Sequence, residues 1–106
     1  MFQGNMGKMM KQVQQMQKQM AKLQEELAEM TEEATSGGGV VRVVANGKKE
    51  VLEIHIEKEA LEDDDVEMLQ DLILSAVNEA LRRADERSQE EMQKITGGLN
   101  LPPGMI

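Results

Sequence analysis

The sequence predicts an α+β fold in which a long N-terminal helix leads into a small antiparallel sheet and a second long helix closes the chain. Three observations predict it. A heptad of apolar residues fills the first third of the chain, two β-branched runs flank Asn46-Gly47, and an acidic segment at 62–65 opens a second stretch of helical periodicity.

The first helix rests on Met6, Met9, Val13, Met16, Met20, Leu23, Leu27, Met30 and Ala34, which recur at alternating steps of three and four. That is the a/d seam of a left-handed coiled coil. The spacing predicts a helix over 6–34, weakened toward its end by Thr31 and Thr35 and stopped by Gly37-Gly38-Gly39.

A hairpin follows, with Val40–Val44 and Val51–Ile56 around a turn at 46–49. A four-residue loop pairs Val43 with Leu52, Val41 with Ile54 and Arg42 with Glu53, and so gives one apolar face and an opposite-charge pair on the other. The second face would hold Val40, Val44 and Val51, the expected dimer interface. Asp64 as N-cap, with Glu67 three residues on, reads as a capping box for the second helix. Its stripe is Val66, Leu69, Ile73, Val77, Ala80 and Ala84, continued weakly by Met92 and Ile95 until Gly97-Gly98. Residues 1–98 thus form one α-β-α domain, and 99–106 a flexible C-terminal tail.

A helix of this length spans roughly 43 Å, whereas a six-residue strand covers only ~20 Å. The N-terminal half of the first helix must overhang the sheet, paired antiparallel with the end of the second. Two subunits joined at their sheets would present two protruding helical arms.

Composition narrows the function. Phe2 is the one aromatic residue among 106, and ten methionines carry much of the apolar load. Such a chain buries a modest core, which favours a homodimer. Without cysteine there is no thiolate metal site, disulfide or thiol nucleophile. His55, the single histidine, has no triad partner and reads as structural. The carboxylates at 62–65 lack a calcium-loop spacing, and no Lys-Ser/Thr pair follows the glycines to make a phosphate loop. No catalytic residue, metal or cofactor is expected, and no small-molecule substrate. No apolar run is long enough for a membrane span, so the expectation is a cytoplasmic non-enzyme.

Net charge is −8, which taken globally disfavours nucleic acid. Its distribution says otherwise. Residues 1–24 hold Lys8, Lys11, Lys18 and Lys22 and no acid, and glutamines flank them. Residues 25–33 hold five glutamates and no base. The four lysines fall at heptad positions c and f, opposite the seam, on the overhanging half. Charge with neutral hydrogen-bonding groups suits phosphate oxygens; an ordinary solvated coiled-coil face is the plainer reading. Arg82, Arg83, Arg87 and Lys94 would join the DNA-binding patch if the helices pair, although Glu79, Asp85, Glu86, Glu90 and Glu91 offer them intrahelical ion pairs.

The chain resembles the YbaB/EbfC family of bacterial nucleoid-associated proteins. The resemblance rests on the Met/Gln/Lys-rich first helix, Gly37-Gly38-Gly39-Val40-Val41-Arg42-Val43 and Asn46-Gly47. It continues through Asp65-Val66-Glu67-Met68-Leu69-Gln70-Asp71-Leu72 and Asn78-Glu79-Ala80 to Gly97-Gly98-Leu99-Asn100-Leu101-Pro102. It implies an α+β homodimer whose tweezer-like arms bind duplex DNA with little sequence preference, located in the nucleoid. It also implies a third strand at Thr31–Ser36, in conflict with the last turn of the heptad, and is preferred there beyond residue 32. The competing function is a prefoldin-like holdase or assembly adaptor, which would grip apolar clients through Met6, Met9, Met10 and Leu99 at the arm tips.

Overall fold

The chain forms helix α1 (Phe2–Leu27), strands β1 (Thr31–Ser36), β2 (Val41–Asn46) and β3 (Val51–Ile56), and helix α2 (Val66–Gly97). Short 3-10 turns lie at Gly37–Gly39 and Lys58–Leu61. This computed structural model describes residues 2–62 and 64–97, with side chains from residue 6 onward. The tail assigned to 99–106 and Asp63 of the acidic segment lie outside the described residues.

The sheet is antiparallel in the order β1-β2-β3. On one face Ala34, Val41, Val43 and Ala45 are fully buried against α2. The helix meets them with Ala76, Ala80 and Ala84, spaced i, i+4, i+8, and Leu69, Leu72, Ile73, Val77 and Leu81 close in from the sides. Alanines on the contact line let the α2 backbone lie close to the sheet. Ser36 Oγ also donates to the Leu72 carbonyl at 2.6 Å, and Arg83 to the Glu33 carbonyl at 2.7 Å. Helix and first strand are thus tied by polar as well as apolar contacts.

α1 ends at Leu27, not Ala34. The β2–β3 turn meets its end: Gly47 N–H donates to the Leu27 carbonyl at 2.9 Å and, just past the helix, to that of Met30 at 3.0 Å. Asn46 donates its side-chain amide to Ala28. Residues 31–36 then pair with β2, so the strand expected from the family resemblance displaces the helix expected from the heptad. Ala34 still enters the core, opposite Val43 on a strand. The glycines between β1 and β2 are required by the backbone, because Gly37, Gly38 and Gly39 have φ of 60, 73 and 99°.

The hairpin register differs from expectation by two residues. Asn46 N–H bonds the Glu50 carbonyl, which closes the loop one residue later than assumed. Leu52 is the extra residue of a bulge between the pairs Ala45–Val51 and Val44–Glu53. Val43 therefore opposes Ile54, Val41 opposes Ile56, and Arg42 opposes His55. The charge pair expected between Arg42 and Glu53 is made instead with Glu33, at 2.6 Å.

Two members of the expected second face lie elsewhere, Val51 because of this register and Val40 because it falls outside the ladder. Val51 pairs with the buried Ala45 and so stands on the α2 side. Val40 precedes β2 and packs against the core. Val44 alone lies on the open face, among Arg42, Glu33, Glu53 and His55.

The helix cap is also one residue late. Asp65 Oδ1 accepts from Met68 N–H at 3.0 Å, so Asp65 is the N-cap and Asp64 takes a φ of 50° ahead of it. α2 then runs to Gly97, as its stripe indicates, although Val66 at its start is exposed.

The molecule measures 74 × 24 × 16 Å, with a radius of gyration of 20.2 Å. A compact chain of this length would have a radius near 13 Å. The excess is the arm.

Candidate nucleic-acid interface

α1 is buried progressively along its own seam. Leu23 and Leu27 are 3 and 2% exposed, Met16 and Met20 are half-buried, and Met6, Met9 and Met10 are 60, 63 and 62% exposed. The cause is the length of α2. Its last turns lie beside α1 in a cleft lined by Lys22, Leu23 and Glu26 on one side and Glu91, Lys94 and Ile95 on the other. Nearer the sheet Lys49, beside the end of α1, reaches Asp85 at 3.1 Å. The helices therefore run antiparallel, and α2 stops while α1 continues outward.

On that outer part stand Lys8, Lys11 and Lys18, all exposed. None has an acid within ion-pair distance among the described residues; elsewhere only Lys48 and Lys58 share that state. Lys22, nearer the body, lies 3.9 Å from Glu26. Eight bases and all twenty acids of the chain follow residue 24, a net of −12 beside an arm of +4. A Debye length is about 8 Å at physiological salt. Lys8 lies roughly 25 Å along the helix from Glu25 at 1.5 Å per residue, well outside the field of the acidic body.

The α2 bases are placed differently. Arg82 is held by Glu79 and Glu86, and Arg83 by Glu79 and the Glu33 carbonyl. Arg87 binds Glu32 at 3.2 Å, and Lys94 binds Glu91 at 3.0 Å. Hydrogen bonding from Arg82 brings the Glu79 carboxyl down to about 2 against the opposing effect of desolvation, with a lesser contribution from the Arg83 hydrogen bond. Glu79 in turn raises the Arg82 guanidinium. These arginines are engaged in fixing α2 to itself and to β1. The structure does not bring them into one patch with Lys8, Lys11 and Lys18, whereas Lys22 and Lys94 share the interhelical cleft.

Sequence reasoning missed the role of Asn46. Its amide donates to Ala28 at 3.2 Å and to Glu50 at 2.9 Å, and its Oδ1 accepts from the Lys48 and Glu50 N–H groups. A Cβ at Gly47 would come within 2.7 Å of Leu27 Cδ2. The pair is the socket that holds the base of the arm. Asn-Gly signalled a turn, but nothing local signalled a helix end docked on it.

No helix among the described residues is long and apolar enough to cross a membrane. They contain no cluster of histidine and carboxylate able to hold a metal ion.

The model of the YbaB/EbfC DNA-binding family matches residues 2–99. A nucleoid-associated protein of Desulforamulus reducens is 62% identical over 102 residues, covering 96% of this chain and 97% of its own. One from Ruminiclostridium cellulolyticum is 61% identical over 105 residues, covering 99 and 91%. In fold, the crystal structure of an uncharacterized protein from Helicobacter pylori superposes with a TM-score of 0.65 at 29% identity, over 74% of this chain and 82% of that one.

Proposed function

The chain belongs to the YbaB/EbfC DNA-binding family, and from that premise we propose that it binds duplex DNA through the outer half of α1, by phosphate contacts with little sequence preference. The observation that carries this reading is the acid-free arm, on which Lys8, Lys11 and Lys18 stand without ionic partners among the described residues. Lysines on a straight helix offer point charges and few base-reading forks, which suits backbone contact. The near absence of aromatic side chains removes base stacking as a source of affinity.

The protein acts as a homodimer in this reading. β3 is an edge strand with Ile54 and Ile56 exposed on the face that α2 covers elsewhere. The flank of α2 that turns toward this edge carries Leu74, Leu81 and Asp85, and the Lys49–Asp85 pair fixes that flank beside the β2–β3 turn. Leu74 is 59% exposed. An open edge strand beside an apolar helix flank is a surface that a second copy covers. Val51, which pairs with Ala45, adjoins it, whereas Val44 lies on the other face of the sheet; two bodies joined there would present two basic arms to one duplex. The setting is the nucleoid, with a role in nucleoid organisation or gene regulation.

Titrating a labelled 30-bp duplex with protein at several salt concentrations tests the reading by fluorescence anisotropy. Affinity should fall steeply with salt, with a log–log slope of about −0.9 per phosphate neutralised. Absence of binding at low salt would reject it in favour of the holdase or adaptor function that the exposed methionines suit.

A further inference from the structure

Lys49 takes a left-handed backbone, with φ of 64°, at the end of the β2–β3 turn. Its N–H closes that turn on the Asn46 carbonyl at 2.9 Å. Glycine adopts this conformation freely and asparagine at little cost, so for a lysine held there the offsetting gain lies in the side chain. That side chain crosses to α2, where Nζ stands 3.1 Å from Asp85 Oδ1. Asp85 is itself held in place. Gln89, one helical turn on, donates to its other carboxylate oxygen at 3.0 Å.

The turn therefore has two attachments. Asn46 and Gly47 hold the root of α1 through the Leu27, Ala28 and Met30 carbonyls. Lys49 holds α2 at the residue after Ala84 of the core. α1 makes few contacts with the strands themselves. Its bearing on the body rests on this turn and on the cleft it forms with α2. From Leu27 the helix runs roughly 29 Å out to Lys8 at 1.5 Å per residue, so a small tilt at the root is magnified at the lysines.

We propose that Lys49 is a positioning residue for the DNA-binding arm: by pairing with Asp85 it locks onto α2 the turn that carries α1. The effect on DNA rests on the function proposed above, whereas the lock does not. The two side chains are 62 and 37% exposed, and an ion pair of that kind shifts an equilibrium about two- to fivefold.

The lock is tested without DNA, by hydrogen exchange of the Gly47 amide, whose N–H binds the Leu27 carbonyl. Lys49→Met keeps the length of the side chain and the strain of the backbone but loses the charge. Asp85→Asn removes the other charge. Each should speed Gly47 exchange about two- to fivefold, with Val41 and Val43 unchanged as the control for an intact sheet. Lys49→Asp/Asp85→Lys restores opposite charges, and aspartate tolerates the left-handed backbone; its Gly47 rate should return to the native value. Unchanged exchange in both single variants, or a double variant as fast as they are, overturns the lock.

Titration of the labelled duplex then reads positioning. Lys49→Met should weaken binding about two- to fivefold with the native salt slope, and the charge swap should restore it. A slope shallower by about 0.9 would mean that Lys49 touches a phosphate itself. Unchanged affinity beside faster Gly47 exchange would mean that the lock does not position the arm. Either result overturns the proposal, as does loss of affinity together with a change of oligomeric state. Should the native chain bind no duplex, the function proposed above fails and the exchange measurement alone decides the lock.

Discussion

Asn46 donates its side-chain amide to the Ala28 carbonyl at 3.2 Å, joining the β2–β3 turn to the chain just past the end of α1. Asn46 is itself 2% exposed and makes its further hydrogen bonds within the turn. The contact converts a hairpin loop into the footing of a lever. Its neighbour Gly47 fits because it lacks a side chain, since Leu27 occupies the space a Cβ would take.

Asn46→Ala should lower unfolding free energy by about 2–4 kcal/mol, since it removes several hydrogen bonds and leaves buried partners unmatched. Gly47→Ala should cost about 1–3 kcal/mol through overpacking against Leu27. Urea denaturation followed by circular dichroism measures both. A near-neutral Asn46→Ala would mean that the turn does not anchor the arm.

Replacing Lys8 and Lys11 together by Gln should weaken duplex binding and reduce the steepness of the log affinity–log salt line by about 1.8, two phosphates at ~0.9 each. Arg87→Gln should instead lower stability, because it loosens the Glu32 contact between α2 and β1, and leave the salt slope unchanged. Equal salt slopes for all three proteins would remove DNA from the arm.

Ile54→Asp places a charge on the exposed edge strand. Sedimentation equilibrium should show a dimer for the native protein and a monomer, or at least a tenfold weaker dimer, for the variant. A variant that remains as tightly dimeric as the native chain would place the interface elsewhere.

Glu79 supplies a pH signature. Its folded carboxyl sits at about 2, against an ordinary value of 4.5. A lowered folded value stabilises the protein above the ordinary value, and that contribution is lost as pH falls toward 2. The difference in melting temperature between the native chain and Glu79→Gln should therefore be constant above pH 5 and shrink between about 4.5 and 2. A gap that does not change with pH would show that the Arg82 and Arg83 contacts carry no weight.

Much of this was legible in the chain because periodicity reports which side chains share a face. The first β-branched run and the α2 stripe name part of the core, Val41, Val43, Ala80 and Ala84, while the second run lies exposed on β3 and Ala76 falls outside the stripe. The heptad failed at Met30 and Ala34 because period alone cannot say where tertiary hydrogen bonds end a helix. There the Gly47 and Asn46 donors take the carbonyls that a further turn would have used. The register failed because a bulge at Leu52 has no sequence mark of its own. For the candidate site, the lysines could be read from the absence of acids before Glu25. The intrahelical pairs of Arg82 and Arg83 follow from spacing alone, whereas the contacts of Arg83 and Arg87 with β1 depend on that strand lying beside α2, which no local pattern marks.

The opposed charges at the two ends of a body 74 Å long also make each protomer an electric dipole. In the field of a polyanion it turns tip first, so encounters begin at the arm and the acidic body trails behind. If the arms hold a duplex as proposed, the acidic bodies would face outward, and the coated fibre would keep a negative rind that repels a second fibre and the body of the next molecule along. Spacing between bound molecules would thus be set by repulsion between their bodies, and would tighten as salt is raised until the arms themselves let go.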